Sequence, residues 1–372
     1  MELTHSFTEA DYSQVLEIFK QINPDEKKSQ LVIKVKGKTV IDLAAGVSPD
    51  NLTTVFSVSK ALSGLAIAKL VGDGLLNLDE KMAHYWPEFA AEGKADLTVR
   101  QVLSHQAGLT ATHPQLSEDQ VHHDHAAAAA LAKQKPLWRP GSGFGYHGLT
   151  IGPLMSELCF RITGKTIQQY YDAEIRKPAN ADAYLGLPEE LEHRVTELDL
   201  SAIPMSTERQ KQFARPADYH SSGLAEWSKG TISFDFLTGR EGRAFGLPSA
   251  AGVASARGLT DVMQWAVGFG SNSSGVPTRV LEDMSQQQVY GYDLALEVDH
   301  RAFGTVFQKP TSSLPFGSYA AFGHDGAAGA LLYADPQGEI VLGYTVAKFV
   351  APGGFDRDLQ PIIDTVRRIA NS

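Results

Sequence analysis

One cysteine, Cys159, stands in 372 residues. No intrachain disulfide can form, so packing alone must hold the core. The thiol sits in the apolar run 154–162, the setting of a buried and inert cysteine. No stretch is long and apolar enough to span a bilayer. The first twenty residues carry Glu2, Glu9, Asp11 and Glu17 among apolar neighbours. They lack a basic segment followed by an apolar one, so they do not read as a secretory signal, and a cytoplasmic protein is expected. No long basic run occurs and the net charge is -10. That balance disfavours nucleic acid and anionic membranes as partners. The pattern G-x-S-x-G is absent, which excludes the usual nucleophile elbow of α/β-hydrolases. There is no internal repeat and no linker-like low-complexity tract.

What is present is ordinary globular composition, 43% hydrophobic and 20% charged. A chain of this length buries roughly three quarters of its unfolded surface. An amphipathic segment from Phe7 to Ile22 predicts a first helix. Two β-branched runs, 31–36 and 39–43, flank Gly37 and predict a hairpin. An apolar helix follows from Ser57. From about Leu78 to Trp227 the chain reads as helices and loops, with a capping box at Ser117 and Gln120 opening the alanine run 126–132. Residues 149–163 predict a helix stopped by Gly164. Residues 199–250, rich in Ser, Gly and Pro, predict long surface loops. Helical periodicity returns at 260–269. Runs 328–333 and 340–346 around Asp335-Pro336-Gln337-Gly338 predict a second hairpin, and 356–370 a closing helix. Strands at both chain ends with helices between them predict an α/β fold of α+β type. Its antiparallel sheet is built from both termini (residues 1–78 and 230–372) and flanked by helices. A mainly helical lobe, residues 79–229, is inserted.

Ser57 and Lys60 stand three residues apart at the head of the apolar helix. Residues i and i+3 share a helix face. The free N–H groups and positive end of the first turn favour negative charge. A neighbouring amine can take a proton from such a serine and make it a nucleophile. The bland alternative is a serine that caps the helix and a lysine that reaches water. Two further segments bear on the choice. Residues 139–148, Arg-Pro-Gly-Ser-Gly-Phe-Gly-Tyr-His-Gly, form a Pro/Gly loop that delivers Tyr146 just before a helix. Residues 322–329, Phe-Gly-His-Asp-Gly-Ala-Ala-Gly, form a glycine-rich strand approach that permits close backbone contact.

With Ser57-x-x-Lys60, these segments resemble the serine β-lactamase and penicillin-recognising superfamily, in particular the class C β-lactamase-like branch that includes the family VIII carboxylesterases. The stretches 97–109 and 248–257 add to the likeness, in the family's order. The resemblance implies a β-lactamase/transpeptidase-like fold. It implies Ser57 as the acylated nucleophile and Lys60 as the group sharing or removing its proton. Tyr146 is implied as general base and then acid, and the backbone N–H groups of Ser57 and Ala327 as the oxyanion hole. His324 and Gly326 fall where the family has K-T-G or H-x-G and would bind substrate. A phenolate at Tyr146 needs nearby cations; Lys60 is one and a protonated His324 would be a second. The asparagine of the family's Y-x-N motif is Gly148 here. In β-lactam-cleaving relatives that asparagine helps hold the substrate's amide side chain, so its absence favours esters, as does histidine in place of lysine.

The expected activity is hydrolysis of small, short-acyl carboxylic esters through acyl-Ser57, without cofactor or metal. The alternatives are a β-lactamase, D-amino-acid peptidase or amide hydrolase, transfer of the acyl group to an alcohol, or a catalytically silent binding protein. Trp138, beside the loop, is a candidate to line the acyl pocket, with core packing as the plain reading. Gly143-x-Gly145-x-x-Gly148 matches a dinucleotide fingerprint but follows a loop rather than a strand. His122, His123, Asp124 and His125 are adjacent and would point in different directions from a helix. Tyr85 and Tyr219 lack the Pro/Gly delivery of Tyr146.

Overall fold

The computed structural model describes residues 3–23, 27–112, 116, 120, 124–201, 233–350 and 353–372. Its strands are β1 (Leu3–Thr8), β2 (Ser29–Val35), β3 (Lys38–Ala45), β4 (Thr53–Phe56), β5 (Ala183–Tyr184), β6 (Gly252–Ala254), β7 (Val289–Asp293), β8 (Val298–Phe303), β9 (Phe322–Asp325), β10 (Leu331–Asp335) and β11 (Ile340–Val346). Helices of two turns or more are α1 (Ser13–Ile22), α2 (Val58–Gly72), α3 (Asp124–Lys133), α4 (Ile151–Thr163), α5 (Ala256–Val267), α6 (Thr278–Ser285) and α7 (Gln360–Ala370).

The main sheet has six strands in the order β1-β3-β2-β11-β10-β9. Each neighbouring pair is antiparallel. Its centre joins the two chain ends, with Ile33 of β2 opposite Leu342 of β11. Helices cover both faces. On one, Val15 and Phe19 of α1 and Ile362, Ile363 and Val366 of α7 pack on Leu31, Ile33, Leu331 and Leu342. On the other, α2 and α5 pack on Leu332, Ala334 and Val341. A sheet covered twice has no solvated face, so its central strands read as continuous apolar runs. Every residue of β10 and β11 is buried. Helix α2 is apolar all round, as a central helix must be, and is buried from Val58 through Ala68.

Both predicted hairpins form, as β2–β3 and β10–β11. The first turn places Lys36 and Gly37 at positive φ, 49° and 77°, the geometry that matches strand twist. Helix α4 ends at Gly164 in the left-handed conformation, φ 72°. The predicted first helix is shorter than expected. Residues 3–8 are instead an edge strand on β3, and helix begins at Ser13 after a 3-10 turn at Ala10–Tyr12. Pairing with an available sheet edge overrides the helical periodicity there. The segment 199–250 is not all loop: Phe234–Thr238 and Arg240–Phe245 are short helices, the first capped by Ser233. Residues 202–232, with Tyr219, lie outside the described residues, as do Ser117, His122 and His123. Capping boxes that sequence reading passed over occur at Thr98–Gln101 and Thr166–Gln169.

Cys159 is fully buried and burial pushes its thiol up to about 11. His125 pairs with Glu157 and packs on Phe160. Tyr85 lends its hydroxyl to the Asn77 N–H. Among the described residues no helix is long and apolar enough to cross a membrane.

Candidate active site

The chain leaves β4 and enters α2 through a sharp corner. Phe56, wholly buried, takes φ 46°, a left-handed conformation uncommon for a bulky residue. Ser59 fixes the corner: its hydroxyl donates to the Phe56 carbonyl and accepts the Gly252 N–H of β6 at 2.8 Å. Ser57 follows at the head of α2, partly exposed, and its side chain caps no backbone N–H. The capping alternative is therefore not what this hydroxyl does.

One turn along α2, Lys60 is 0% exposed. Its Nζ lies 3.2 Å from Ser57 Oγ and 2.7 Å from the Ser249 carbonyl. Ser249 is itself held by its hydroxyl, which donates to the Leu149 carbonyl at 2.8 Å. Burial lowers the amine's pKa well below the usual lysine range, against the opposing pull of the Asp325 carboxylate. An amine whose pKa is lowered in this way, beside a hydroxyl, is better able to act as a base.

Tyr146 reaches the same oxygen from the Pro/Gly loop, its hydroxyl 2.9 Å from Ser57 Oγ. Three successive backbone N–H groups pin it. Gly145 donates to the His105 carbonyl at 3.0 Å, Tyr146 to both Asp293 oxygens at 3.0 and 3.2 Å, and His147 to His105 Nδ1 at 3.1 Å. Gly145 must lack a side chain, because a Cβ there would lie 2.9 Å from the Ala295 nitrogen. The Tyr146 ring stacks on Phe303, centroids 5.7 Å apart and planes 11° apart, with the edge of His105 at 5.2 Å. Lys60 Nζ stands 4.8 Å from the ring centroid. Burial raises the phenol's pKa, and the hydrogen bond with Ser57 only partly offsets this. The resting tyrosine is a neutral phenol.

The end of β9 closes the arrangement. His324 is 0% exposed and its Nδ1–H donates to the Asp325 carbonyl at 2.8 Å. Burial holds its pKa well below the usual imidazole range. The expectation of a protonated His324 as second cation is corrected here: a sealed imidazole next to an amine stays neutral. Gly326 is where β9 meets β4, and a Cβ there would lie 2.3 Å from the Val55 carbonyl oxygen. That approach brings Ala327, partly exposed, beside the Ser57 corner. Among the described residues neither the Ser57 nor the Ala327 N–H has a backbone acceptor. Gly326→Ala is expected to destabilise the fold by about 1–3 kcal/mol through overpacking. On the roles the resemblance implies for Ser57 and Ala327, it should also slow labelling of Ser57 by about tenfold or more. Melting temperature and the rate of fluorophosphonate adduct formation measure the two effects; wild-type values for both would remove this contact from the site.

The sequence-derived set thus converges at Ser57, Lys60 and Tyr146, with His324, Gly326 and Ala327 at the adjoining strand end. Gly148 is buried beside Tyr146, and a Cβ there would meet the ring at 3.4 Å, an ordinary contact. Trp138 packs on its own loop, its indole near Gly145 and edge-on to His147 at 6.1 Å. Sequence reading missed Asp293, 0% exposed, whose carboxylate also accepts the Ala295 and Leu296 N–H groups at 2.9 Å each. Nothing local marks it, since its partner lies 147 residues away. His105 was legible only as part of the 97–109 stretch.

Residues 29–366 match the family described as Beta-lactamase. The chain is 28% identical over 355 residues to Esterase/beta-lactamase LipL of Mycobacterium tuberculosis, covering 87% of this chain and 77% of LipL. Among solved structures, EstA from Arthrobacter nitroguajacolicus Rue61a superposes with a TM-score of 0.88 at 39% identity, over 99% of each chain. A family VIII carboxylesterase shares the fold at a TM-score of 0.86 and 24% identity, over 99% of this chain and 100% of that one.

Proposed function

The chain belongs to the beta-lactamase family, and on that premise we propose that it hydrolyses small, short-acyl carboxylic esters through a covalent ester on Ser57. The observation that carries the reading is the convergence of Tyr146 OH and Lys60 Nζ on Ser57 Oγ, at 2.9 and 3.2 Å. With the amine unprotonated and the phenol protonated, the three groups form a relay. Ser57 Oγ gives its proton to Lys60 Nζ and bonds to the carbonyl carbon. The N–H groups of Ser57 and Ala327 receive the charge on the carbonyl oxygen. As the tetrahedral centre collapses, the leaving alkoxide takes the Tyr146 proton, and Lys60 returns a proton to the phenolate. Water then repeats the sequence: Lys60 accepts its proton, hydroxide adds to the acyl carbon, and the proton passes to Ser57 Oγ as the acid departs. The resemblance implies Tyr146 as general base with Lys60 sharing or removing the serine proton; the opposite shifts of phenol and amine favour Lys60 as the acceptor.

Gly148 and a neutral His324 support esters over β-lactams. One supplies no amide to grip a side chain, and the other supplies no fixed charge for a ring carboxylate. The likeness to LipL, described as both esterase and beta-lactamase, favours β-lactam or amide cleavage as the second reading. p-Nitrophenyl acetate is expected to turn over faster than nitrocefin at equal concentration. Faster nitrocefin hydrolysis would sink the ester reading in favour of the second.

A further inference from the structure

Arg301 is a cation at this site that the relay does not use. It lies on β8, partly exposed, two residues before Phe303 and so on the same strand face. Its guanidinium carbon stands 5.5 Å over the Phe303 ring, the ring on which Tyr146 stacks. Its Nε is buried and donates to nothing. No ion pair or other side-chain hydrogen bond holds the guanidinium among the described residues. Its charge is felt at Tyr146, His105, His324 and Asp293. Asp293 feels that charge but makes no ion pair with it, its carboxylate accepting three backbone N–H groups.

A guanidinium is always charged and presents a fork of donors that fits a carboxylate on two N–H groups at once. Its buried Nε–H lacks an acceptor, which is costly, while the terminal N–H groups of the partly exposed side chain remain available to a ligand. The other cationic candidates are committed: Lys60 is sealed against Ser57 and Ser249, and His324 is neutral. We propose that Arg301 forms a carboxylate subsite, so that the preferred esters carry a carboxylate on their acyl part, as half-esters of short dicarboxylic acids do. This rests on the ester-hydrolase reading above and narrows its substrate class.

The test compares monomethyl glutarate with the neutral dimethyl glutarate, acid release being followed at constant pH with the full chain. Wild type is expected to show the higher kcat/KM for the monoester. Arg301→Gln should lower the monoester-to-diester ratio by about ten- to a hundredfold, the loss of a charge-assisted hydrogen-bonded pair. Arg301→Lys, which keeps the charge without the fork, should retain part of the ratio and carries the comparison if the glutamine variant does not fold. A ratio equal in wild type and variant overturns the proposal. So does an equal slowing of both esters, which would mean that Arg301 acts through Tyr146. If wild type cleaves neither ester, the ester reading fails, and calorimetric titration of glutarate decides the subsite separately. Binding that is lost in Arg301→Gln upholds it, and no binding to wild type overturns it.

Discussion

Ser57→Ala is expected to lower ester turnover by about 10⁴-fold or more while leaving the fold intact, the scale on which nucleophile removal acts in serine hydrolases. Fluorophosphonate labelling gives a sharper readout than rate alone. Intact mass should show one adduct on wild type and none on the variant. The substitution should be structurally cheap, because the hydroxyl caps no helix N–H and its residue is partly exposed. A melting temperature close to wild type together with lost labelling would separate chemistry from folding. An undiminished adduct on the alanine variant would remove Ser57 as nucleophile, and with it the relay.

Lys60→Met should cost about 10²- to 10⁴-fold in turnover, the range for loss of a positioned base. Its signature lies in pH. Burial holds the wild-type amine well below the usual lysine range, so activity should rise with pH along an acid limb that reports its deprotonation. The raised phenol of Tyr146 moves the opposing alkaline limb upward, leaving a wide plateau. Lys60→Arg keeps its proton at every accessible pH and should be inactive throughout. Stability follows the same group. The amine's folded-state pKa lies below its unfolded value, so the unfolded chain binds more protons between the two. The folded state then gains stability as pH rises through that window and loses it as pH falls. The melting temperature of wild type should climb more steeply with pH than that of Lys60→Met. Parallel slopes, with a pH–rate profile unchanged in the methionine variant, would point to a lysine that stays charged and serves only to anchor the Ser249 carbonyl.

Local pattern made much of this legible. The β-branched runs about Gly37 and about residues 336–339 are hairpins because turn chemistry is a short-range property. The spacing of Ser57 and Lys60 put two functional groups on one helix face because helix geometry is fixed. What escaped was set by distant partners. Residues 3–8 became a strand because β3 offered an edge, which no window of sequence shows. Asp293 holds Tyr146 from another hairpin. The charge state of His324 followed from sealing, and periodicity does not report how completely a neighbour is enclosed. The helix at Phe234–Thr238 hid in a polar, Gly-rich stretch because its stabilising contacts are tertiary, with Leu237 in the small core around Phe56.

The pairing of β2 with β11 has a consequence for biosynthesis. A ribosome delivers the hydroxyl, amine and phenol within the first 146 residues, but the strand approach bearing Ala327 and both inner partners of the sheet arrive some 180 residues later. Until then β2 exposes an unpaired apolar edge, and the corner at Phe56 has no Gly326 turn to lie against. Contacts so far apart in sequence form slowly, and unpaired edges invite aggregation. The nascent chain therefore carries the proposed nucleophile, Ser57, long before the strand end that would aim it, and its most exposed interval is the one just before the last three strands emerge.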